Sequence, residues 1–274
     1  MPTETSIRKR PIMPATAKAP GREGRVAVIE RDPKRIEPEP APRVRLGPLL
    51  AVCGLAGGVG ATTLAYLVAL AAARRGEGPV LVADTGGPSG GLAAFAGVET
   101  AHSLAELASH LAAGGPLEGG VYATGTAGVR VVASAPEFTA CRAHEQLAQL
   151  LIDARVAHRL TVIDCGTLAR DADRIALAGA THVAWVLPAT ADGISRGRRV
   201  LDAAPASAAR QLVVARSEVR QAKAPLRELR RIASERHVPL VLMPHLPGLE
   251  AGNVNRAARA AQVPVQAILG ALER

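Results

Sequence analysis

Aromatic residues are almost absent from this chain, which has 274 residues but only one tryptophan, two tyrosines and two phenylalanines. Hydrophobic residues nevertheless make up 48% of the sequence. Any core must therefore be built from alanine, valine, leucine and isoleucine. The length is sufficient for one sizeable α/β domain plus a tail.

Cysteine is also scarce. Cys53, Cys141 and Cys165 are widely spaced and form no CxxC pattern, which argues against a zinc site and against a disulfide framework. Cys53 and Cys165 lie in or just after predicted buried strands and are interpreted as small hydrophobic residues.

The sequence has no apolar run that could span a bilayer and no apolar signal-peptide segment, so we expect a cytoplasmic protein.

Lysine is missing from the middle of the chain, where nearly all of the positive charge is carried by arginine. The four lysines are Lys9, Lys18, Lys34 and Lys223, and the formal net charge is +9. This excess suits an acidic partner such as nucleic acid, an anionic membrane surface or a nucleotide. It equally suits a solubilising surface, so both interpretations stay open.

Residues 1–44 are rich in proline, arginine and glutamate and lack hydrophobic periodicity. They cannot bury enough apolar area to offset the entropy of ordering. We therefore predict a disordered tail over residues 1–44 and a folded domain over residues 45–274.

The most informative segment reads AVCGLAGGVGATTL and covers residues 51–64. An apolar strand leads into a glycine-rich turn, which is followed by two threonines and an alanine- and leucine-rich helix predicted over residues 61–75. This order is typical of a phosphate-binding loop, in which backbone N–H groups and a helix N-terminus face the phosphates. The usual pattern is G-x-x-x-x-G-K-[ST], and Ala61 stands at the position of its lysine.

Two aspartates follow apolar strands. Asp84 ends the run VLVA, and Asp164 ends LTVI. Ligands bind at the carboxyl ends of strands in an open α/β sheet. Asp164 therefore resembles a Walker B carboxylate that holds Mg²⁺ together with the hydroxyl of Thr62. For Asp84 the local pattern by itself favours a turn-capping role.

The motif AGGVGATT, residues 56–63, resembles the deviant phosphate loop of the ParA/MinD superfamily, usually KGGVGKTT. Ala56 replaces the signature lysine, which in that family reaches the nucleotide of a partner subunit, and Ala61 replaces the ordinary loop lysine. A loop ending in GATT is similar to one branch of the superfamily, the CpaE/TadZ-like proteins, which position Flp/Tad pilus machinery.

The resemblance implies a three-layer, doubly wound α/β fold of the P-loop type, with seven or eight strands in a mostly parallel sheet. It also implies that ATP or ADP binds with Mg²⁺. The implied nucleotide contacts are Gly57, Gly58, Val59, Gly60, Ala61, Thr62 and Thr63. Where the family has an adenine-reading asparagine, this chain has Ala215 and Arg216, and the loop that follows Met243 would lie against the adenine. Asp84 matches the first of two carboxylates that the family has at this strand end, which makes it a candidate catalytic residue, and Gly86 stands where the second would be.

The two missing lysines predict a weak or absent ATPase activity. A charged hydrogen bond contributes about 1.5–3 kcal/mol to binding, whereas a cation that stabilises phosphoryl transfer contributes about 10³–10⁵ in rate. The loss should therefore weaken hydrolysis more than nucleotide binding. The resulting hypothesis is a nucleotide-binding positioning or scaffolding factor for a pilus or secretion system. It would be a homodimer with protein partners, recruited to a pole or to a membrane-associated machine.

Two alternatives remain, a partition-type ATPase that binds DNA non-specifically and a structural dimer without nucleotide. The DNA alternative depends on a basic set in the C-terminal half: Arg196, Arg198, Arg199, Arg210, Arg216, Arg220, Lys223, Arg227, Arg230 and Arg231. Membrane binding is less favoured. The apolar face of a C-terminal helix over residues 265–272 is short and lacks bulky aromatics, so we expect it to pack onto the domain.

Overall fold

The computed structural model describes residues 46–85, 91–98, 104–115, 123–124, 128–133, 144–203, 209–216, 223–246, 248–249 and 252–273. The predicted tail over residues 1–44, Gly86 and Cys141 lie outside these ranges. The strands are β1 Leu49–Gly54, β2 Val80–Asp84, β3 Ala123–Thr124, β4 Arg130–Val132, β5 Leu160–Asp164, β6 His182–Pro188, β7 Arg210–Arg216 and β8 Leu240–Met243. The helices are α1 Ala61–Arg74, α2 Gly91–Ala96, α3 Leu104–Ala112, α4 His144–Ala157, α5 Asp171–Gly179, α6 Ala191–Ala203, α7 Lys223–Glu235, α8 Val254–Ala260 and α9 Gln262–Leu272.

The described strands form one sheet in the order β3-β4-β2-β5-β1-β6-β7-β8. All neighbouring strands run parallel except β3, which is antiparallel to β4. The mostly parallel α/β sheet predicted from strand–helix alternation is confirmed. Strands such as β1, β2 and β5 are buried along their whole length, as expected of parallel strands covered on both faces.

Helices cover both faces of the sheet. Alternate residues of β1 separate two cores, since Leu50 and Val52 belong to one cluster while Ala51 and Cys53 belong to the other. The first cluster contains residues of α1, α2, α8 and α9, and the second contains residues of α3 to α7. The expected three-layer architecture is therefore confirmed.

Helix α9 packs onto this domain. Val265, Ile268, Leu269 and Leu272 are all buried in the first core cluster, and the half-buried Arg75 after α1 forms an ion pair with Glu273. The packing predicted for this apolar face is confirmed. None of the helices in the described ranges combines the length and apolar character needed to cross a bilayer.

Local capping and short elements account for the differences from the sequence prediction. Periodicity predicts a helix over residues 194–203, but α6 begins at Ala191. The N–H of Gly193 donates to the hydroxyl of Thr190 at 3.2 Å, which starts the helix earlier. Helix α2 and the two-residue β3 are too short to produce a periodic signal and are not predicted.

Candidate functional site

The glycine-rich loop lies at the carboxyl edge of the sheet, at its centre. It leaves β1, which pairs with β5 on one side and with β6 on the other. The chain departs from this position to both sides of the sheet, so the loop occupies a topological switch point, where ligands bind in open α/β sheets.

Three glycines give the loop its shape. Gly58 and Gly60 have φ angles of +70° and +90°, in the left-handed region where a side chain would be strained. Gly54 is needed for close packing, because a Cβ there would lie 3.1 Å from Val59 Cγ2 and 3.2 Å from the carbonyl oxygen of Gly166. The sequence pattern thus produces a tight turn against the loop that follows β5.

The N-terminus of α1 is open towards this turn. Gly60 is the N-cap and supplies no side-chain hydrogen bond, and the N–H of Leu64 donates to the carbonyl of Gly60 at 2.9 Å. The N–H groups of the three preceding residues, Ala61, Thr62 and Thr63, therefore have no acceptor within the helix. Free N–H groups and the helix dipole together form a cradle suited to phosphate oxygens.

Thr62 and Asp164 meet beneath the loop. The Thr62 hydroxyl is hydrogen bonded to the Asp164 carboxylate, which also accepts from the N–H of Gly166 at 3.1 Å. Asp164 is only 5% exposed. Burial raises the pKa of Asp164, and the neighbouring carboxylates of Asp84 and Asp173 add to this effect, against the two hydrogen bonds. The site therefore favours a cation near this carboxylate.

Asp84 lies beside Asp164, because the two residues are direct partners in the register of β2 and β5. It is 8% exposed. The carboxylates at the ends of β2 and β5 therefore lie side by side, while a catalytic role for Asp84 stays a prediction.

Asp173 completes the acidic cluster and is not predicted by the sequence analysis. It lies in the first turn of α5, accepts from the N–H of Arg170 at 2.9 Å and accepts a hydrogen bond from the Thr85 hydroxyl. No sequence motif places a carboxylate at this distance after Asp164. The sequence feature that could have identified Asp173 is its position in the first turn of α5, where acidic side chains cap a helix N-terminus. Its contacts identify it as a helix cap.

The donor set fits Mg²⁺ bound together with a nucleotide. Within the part of the chain that the structure describes, no cluster of three or more histidine, cysteine, aspartate or glutamate side chains is placed to hold a metal. Mg²⁺ in nucleotide sites takes few protein ligands and completes its shell with water and phosphate oxygens. A hydroxyl from Thr62 and a carboxylate from Asp164 match that requirement.

The positions of the two missing lysines are filled by packed methyl groups. Ala61 is 7% exposed, as is its neighbour Val59, and both belong to the first core cluster. Ala56 is partly buried and packs against the same cluster. Neither Val59 nor Ala61 therefore brings a charged side chain to the loop.

Two arginines from distant elements contact the loop. Arg216, at the end of β7, donates from Nη1 to the carbonyl of Gly58 at 2.8 Å. Arg196, on α6, donates to the carbonyl of Leu55 at 3.1 Å and also forms an ion pair with Asp192 at 2.9 Å. The sequence analysis places both residues in the basic set and Arg216 also at the family's adenine-reading position, but no local pattern shows which arginine reaches the loop.

A cavity of about 170 Å³ opens beside the loop. Gly58, Gly60 and Thr63 form one side, and Arg216 lines it as well. Its other walls are formed mainly by residues at the carboxyl ends of β6, β7 and β8 and in the segment after β8: Val186, Val214, Met243, Pro244, His245, Leu246 and Leu249. An apolar pocket next to a polar cradle suits a flat heterocycle joined to phosphates.

Cys53 and Cys165 are both completely buried behind the loop. A hydrogen bond to Cys53, together with burial, raises the pKa of Cys165. Both side chains belong to the second core cluster and pack as small hydrophobic residues, which confirms the interpretation from the sequence.

The basic set named for DNA binding does not form one uninterrupted surface. Arg198 and Arg231 both pair with Glu228, and Arg210 and Arg216 lie at opposite ends of β7. Two members, Arg220 and the side chain of Lys223, lie outside what the structure describes. Pairing of this kind leaves less positive charge to contact a phosphate backbone.

Comparison with known proteins identifies the fold. No protein-family model and no curated protein matches the sequence. A ParA family ATPase from Chlorobium tepidum TLS has a similar structure, with a TM-score of 0.65, 14% identity, and coverage of 80% of this chain and 92% of that chain. MinD in its complex with MinC from Aquifex aeolicus has a TM-score of 0.64 and 14% identity, covering 82% and 96% of the two chains.

A third structure of the same fold contains bound ligands. Cobyrinic acid a,c-diamide synthase from Mycobacterium smegmatis, with ADP and magnesium, has a TM-score of 0.57 and 18% identity and covers 78% of this chain and 92% of that chain. These structural similarities show a shared P-loop NTPase fold of the ParA/MinD type.

Proposed function

We propose that this protein is a nucleotide-binding positioning or scaffolding factor of the ParA/MinD type. The observation that supports the proposal best is the hydrogen bond between Thr62 and Asp164 at the mouth of the glycine loop. A hydroxyl at the start of α1 and a buried carboxylate at the end of β5 are the two protein ligands that a Mg-nucleotide complex needs in this fold. The loop backbone would hold the phosphates, and the neighbouring cavity would hold the base.

Hydrolysis is proposed to be weak or absent. Position 61 carries a methyl group packed into the core, so the cation that ordinarily stabilises the transferred phosphate is missing from the loop. Electrostatic stabilisation acts mainly on the transition state, so ATP binding should survive this loss better than turnover does. The protein would then act as a switch that reports which nucleotide is bound.

The cellular role proposed here is the positioning of a Flp/Tad-type pilus or a related secretion machine. The GATT ending of the loop supports this branch of the superfamily. One structure of the same fold is MinD in complex with MinC, and we propose that this chain likewise works through protein partners and as a homodimer. It would act in the cytoplasm and be recruited to a pole or to a membrane-associated assembly.

Isothermal titration of ATP and ADP with Mg²⁺ into the full-length protein tests the nucleotide site. We expect micromolar binding, and Thr62→Ala should weaken it by about 10-fold or more, since it removes a charge-assisted contact. Ser195→Ala, which removes an exposed hydroxyl on α6, serves as the control and should bind like wild type. No binding up to millimolar nucleotide would contradict the proposal and favour a structural dimer without nucleotide.

A steady-state ATPase assay tests the second part of the proposal. We expect turnover near background for the wild-type protein, and no further loss on Asp164→Ala. Turnover comparable to that of relatives with both lysines, abolished by Asp164→Ala, would contradict the assignment of a weak hydrolase.

A further inference from the structure

We propose that Arg216 is the phosphate-contacting cation of this site and replaces, from the end of β7, the lysine that is absent at position 61. This inference rests on the proposed nucleotide-binding function and names the residue whose charge raises the affinity for the nucleotide phosphates.

The position of Arg216 supports this assignment. It is the last residue of β7 and pairs in register with Pro188 of β6 and Met243 of β8. Its backbone is therefore fixed at the carboxyl edge of the sheet, two strands away from β1. From there its guanidinium reaches the carbonyl of Gly58 at 2.8 Å, which brings a positive charge to the loop itself.

The environment of Arg216 leaves its charge available. Arg196 also contacts the loop, but its guanidinium is neutralised by Asp192. Among the described residues, the Arg216 guanidinium has one hydrogen-bond partner, the neutral backbone carbonyl of Gly58. Arg196 is therefore a brace for the loop, whereas Arg216 lies at the cavity wall and pairs with no carboxylate of the described residues.

The chemistry of guanidinium suits a second role at this place. Its five donors lie in a rigid fork, and one of them is enough for the Gly58 carbonyl. The remaining donors can bind phosphate oxygens, with which arginine forms stronger, often bidentate, hydrogen bonds than with a neutral carbonyl. Since Arg216 lines the same cavity as Gly60 and Thr63, a nucleoside di- or triphosphate in the cradle would lie within its reach.

The test compares Mg-ATP and inorganic tripolyphosphate binding by calorimetry for full-length wild type, Arg216→Gln and Arg216→Lys. Arg216→Gln should weaken binding of both ligands by about 10- to 100-fold, as expected for a charged hydrogen bond. Arg216→Lys should restore part of the affinity, because it keeps the charge but not the fork. Arg210→Gln, at the other end of β7, removes an exposed arginine from the same strand and should bind like wild type.

Each outcome decides the assignment. Unchanged ATP affinity in Arg216→Gln, with binding by wild type, would overturn this inference and leave the proposed function intact. Equal losses of ATP affinity in Arg216→Gln and Arg216→Lys, with tripolyphosphate binding unchanged, would assign Arg216 to contact with the base in the neighbouring cavity and would also overturn it. No nucleotide binding by wild type would overturn the proposed function and this inference together. The melting temperature without ligand should stay near the wild-type value for both variants, since Arg216 is exposed.

Discussion

At the scale of single residues, position 61 carries an alanine where the phosphate-loop pattern has a lysine. The backbone cradle and the pair of Thr62 and Asp164 are in place, and the loop segment itself contains no cationic side chain. If the cradle still admits phosphates, restoring the lysine should restore the electrostatic contribution without rebuilding the loop.

We therefore predict that Ala61→Lys tightens ATP binding by about 10-fold or more, as measured by calorimetry, and raises turnover above background. Ala260→Lys adds the same charge at an exposed position on α8 and should leave ATP binding unchanged. A failure of Ala61→Lys to gain affinity, in a variant that remains folded, would show that the loop no longer accepts phosphate.

Asp164 provides a second prediction at this scale, because burial and two neighbouring carboxylates raise its pKa above the usual value of 3.8. The folded protein then binds this proton more tightly than the unfolded chain does. Ionisation of Asp164 consequently costs stability, in full above the raised pKa and not at all below the unfolded value.

Asp164→Asn should accordingly raise the melting temperature at pH 7 in the absence of Mg²⁺, and this gain should shrink as the pH falls towards 3.8. Scanning calorimetry across this pH range measures the effect. Asp171→Asn, an exposed carboxylate, should show little change at any of these pH values. A lower melting temperature for Asp164→Asn at pH 7 would mean that the ionised carboxylate stabilises the fold.

At the scale of elements, α9 closes one face of the domain and does not present its apolar stripe to solvent. Ile268 is fully buried, whereas Val263 on the same helix is 80% exposed. The two residues therefore offer a matched pair for testing whether the helix contributes to the core.

Ile268→Ala should lower the free energy of unfolding by about 2–5 kcal/mol, the usual cost of a buried cavity of this size. Val263→Ala should change the free energy by less than about 0.5 kcal/mol, as is usual for surface positions. Urea denaturation measures both values. Unchanged stability in Ile268→Ala, together with loss of liposome co-sedimentation, would instead indicate a membrane-binding helix.

The arrangement of strands explains which contacts in the site could be predicted from the sequence and which could not. Apolar strands that end in aspartate predict that Asp84 and Asp164 come together, since parallel strands end at one edge, and the register of β2 and β5 places them side by side. The sequence could not predict that Arg216 reaches the loop, because that contact depends on the lateral order of β1, β6 and β7. The order of strands in a sheet is a long-range property that local patterns do not encode.

At the scale of the whole molecule, the alanine at position 56 bears on assembly. In relatives the corresponding lysine reaches the nucleotide of the partner subunit, and here only a methyl group packed against the core is present. We therefore predict that the molar mass from light scattering is the same with and without Mg-ATP. A mass that doubles only when ATP is added would contradict this prediction. Ala56→Lys combined with Ala61→Lys should introduce such a dependence.

By itself, the sequence determined the α/β class of this protein, the position of its glycine loop and the placement of Thr62 at a helix start and Asp164 at a strand end. These features depend on local patterns: apolar runs, glycines with positive φ and a hydroxyl at a helix start. Only the tertiary structure decided that Asp173 lies beside them, where it accepts a hydrogen bond from the Thr85 hydroxyl, and that Arg216 reaches the loop. Those contacts join residues far apart in the chain, and packing of the sheet and its two helical layers is what brings them together.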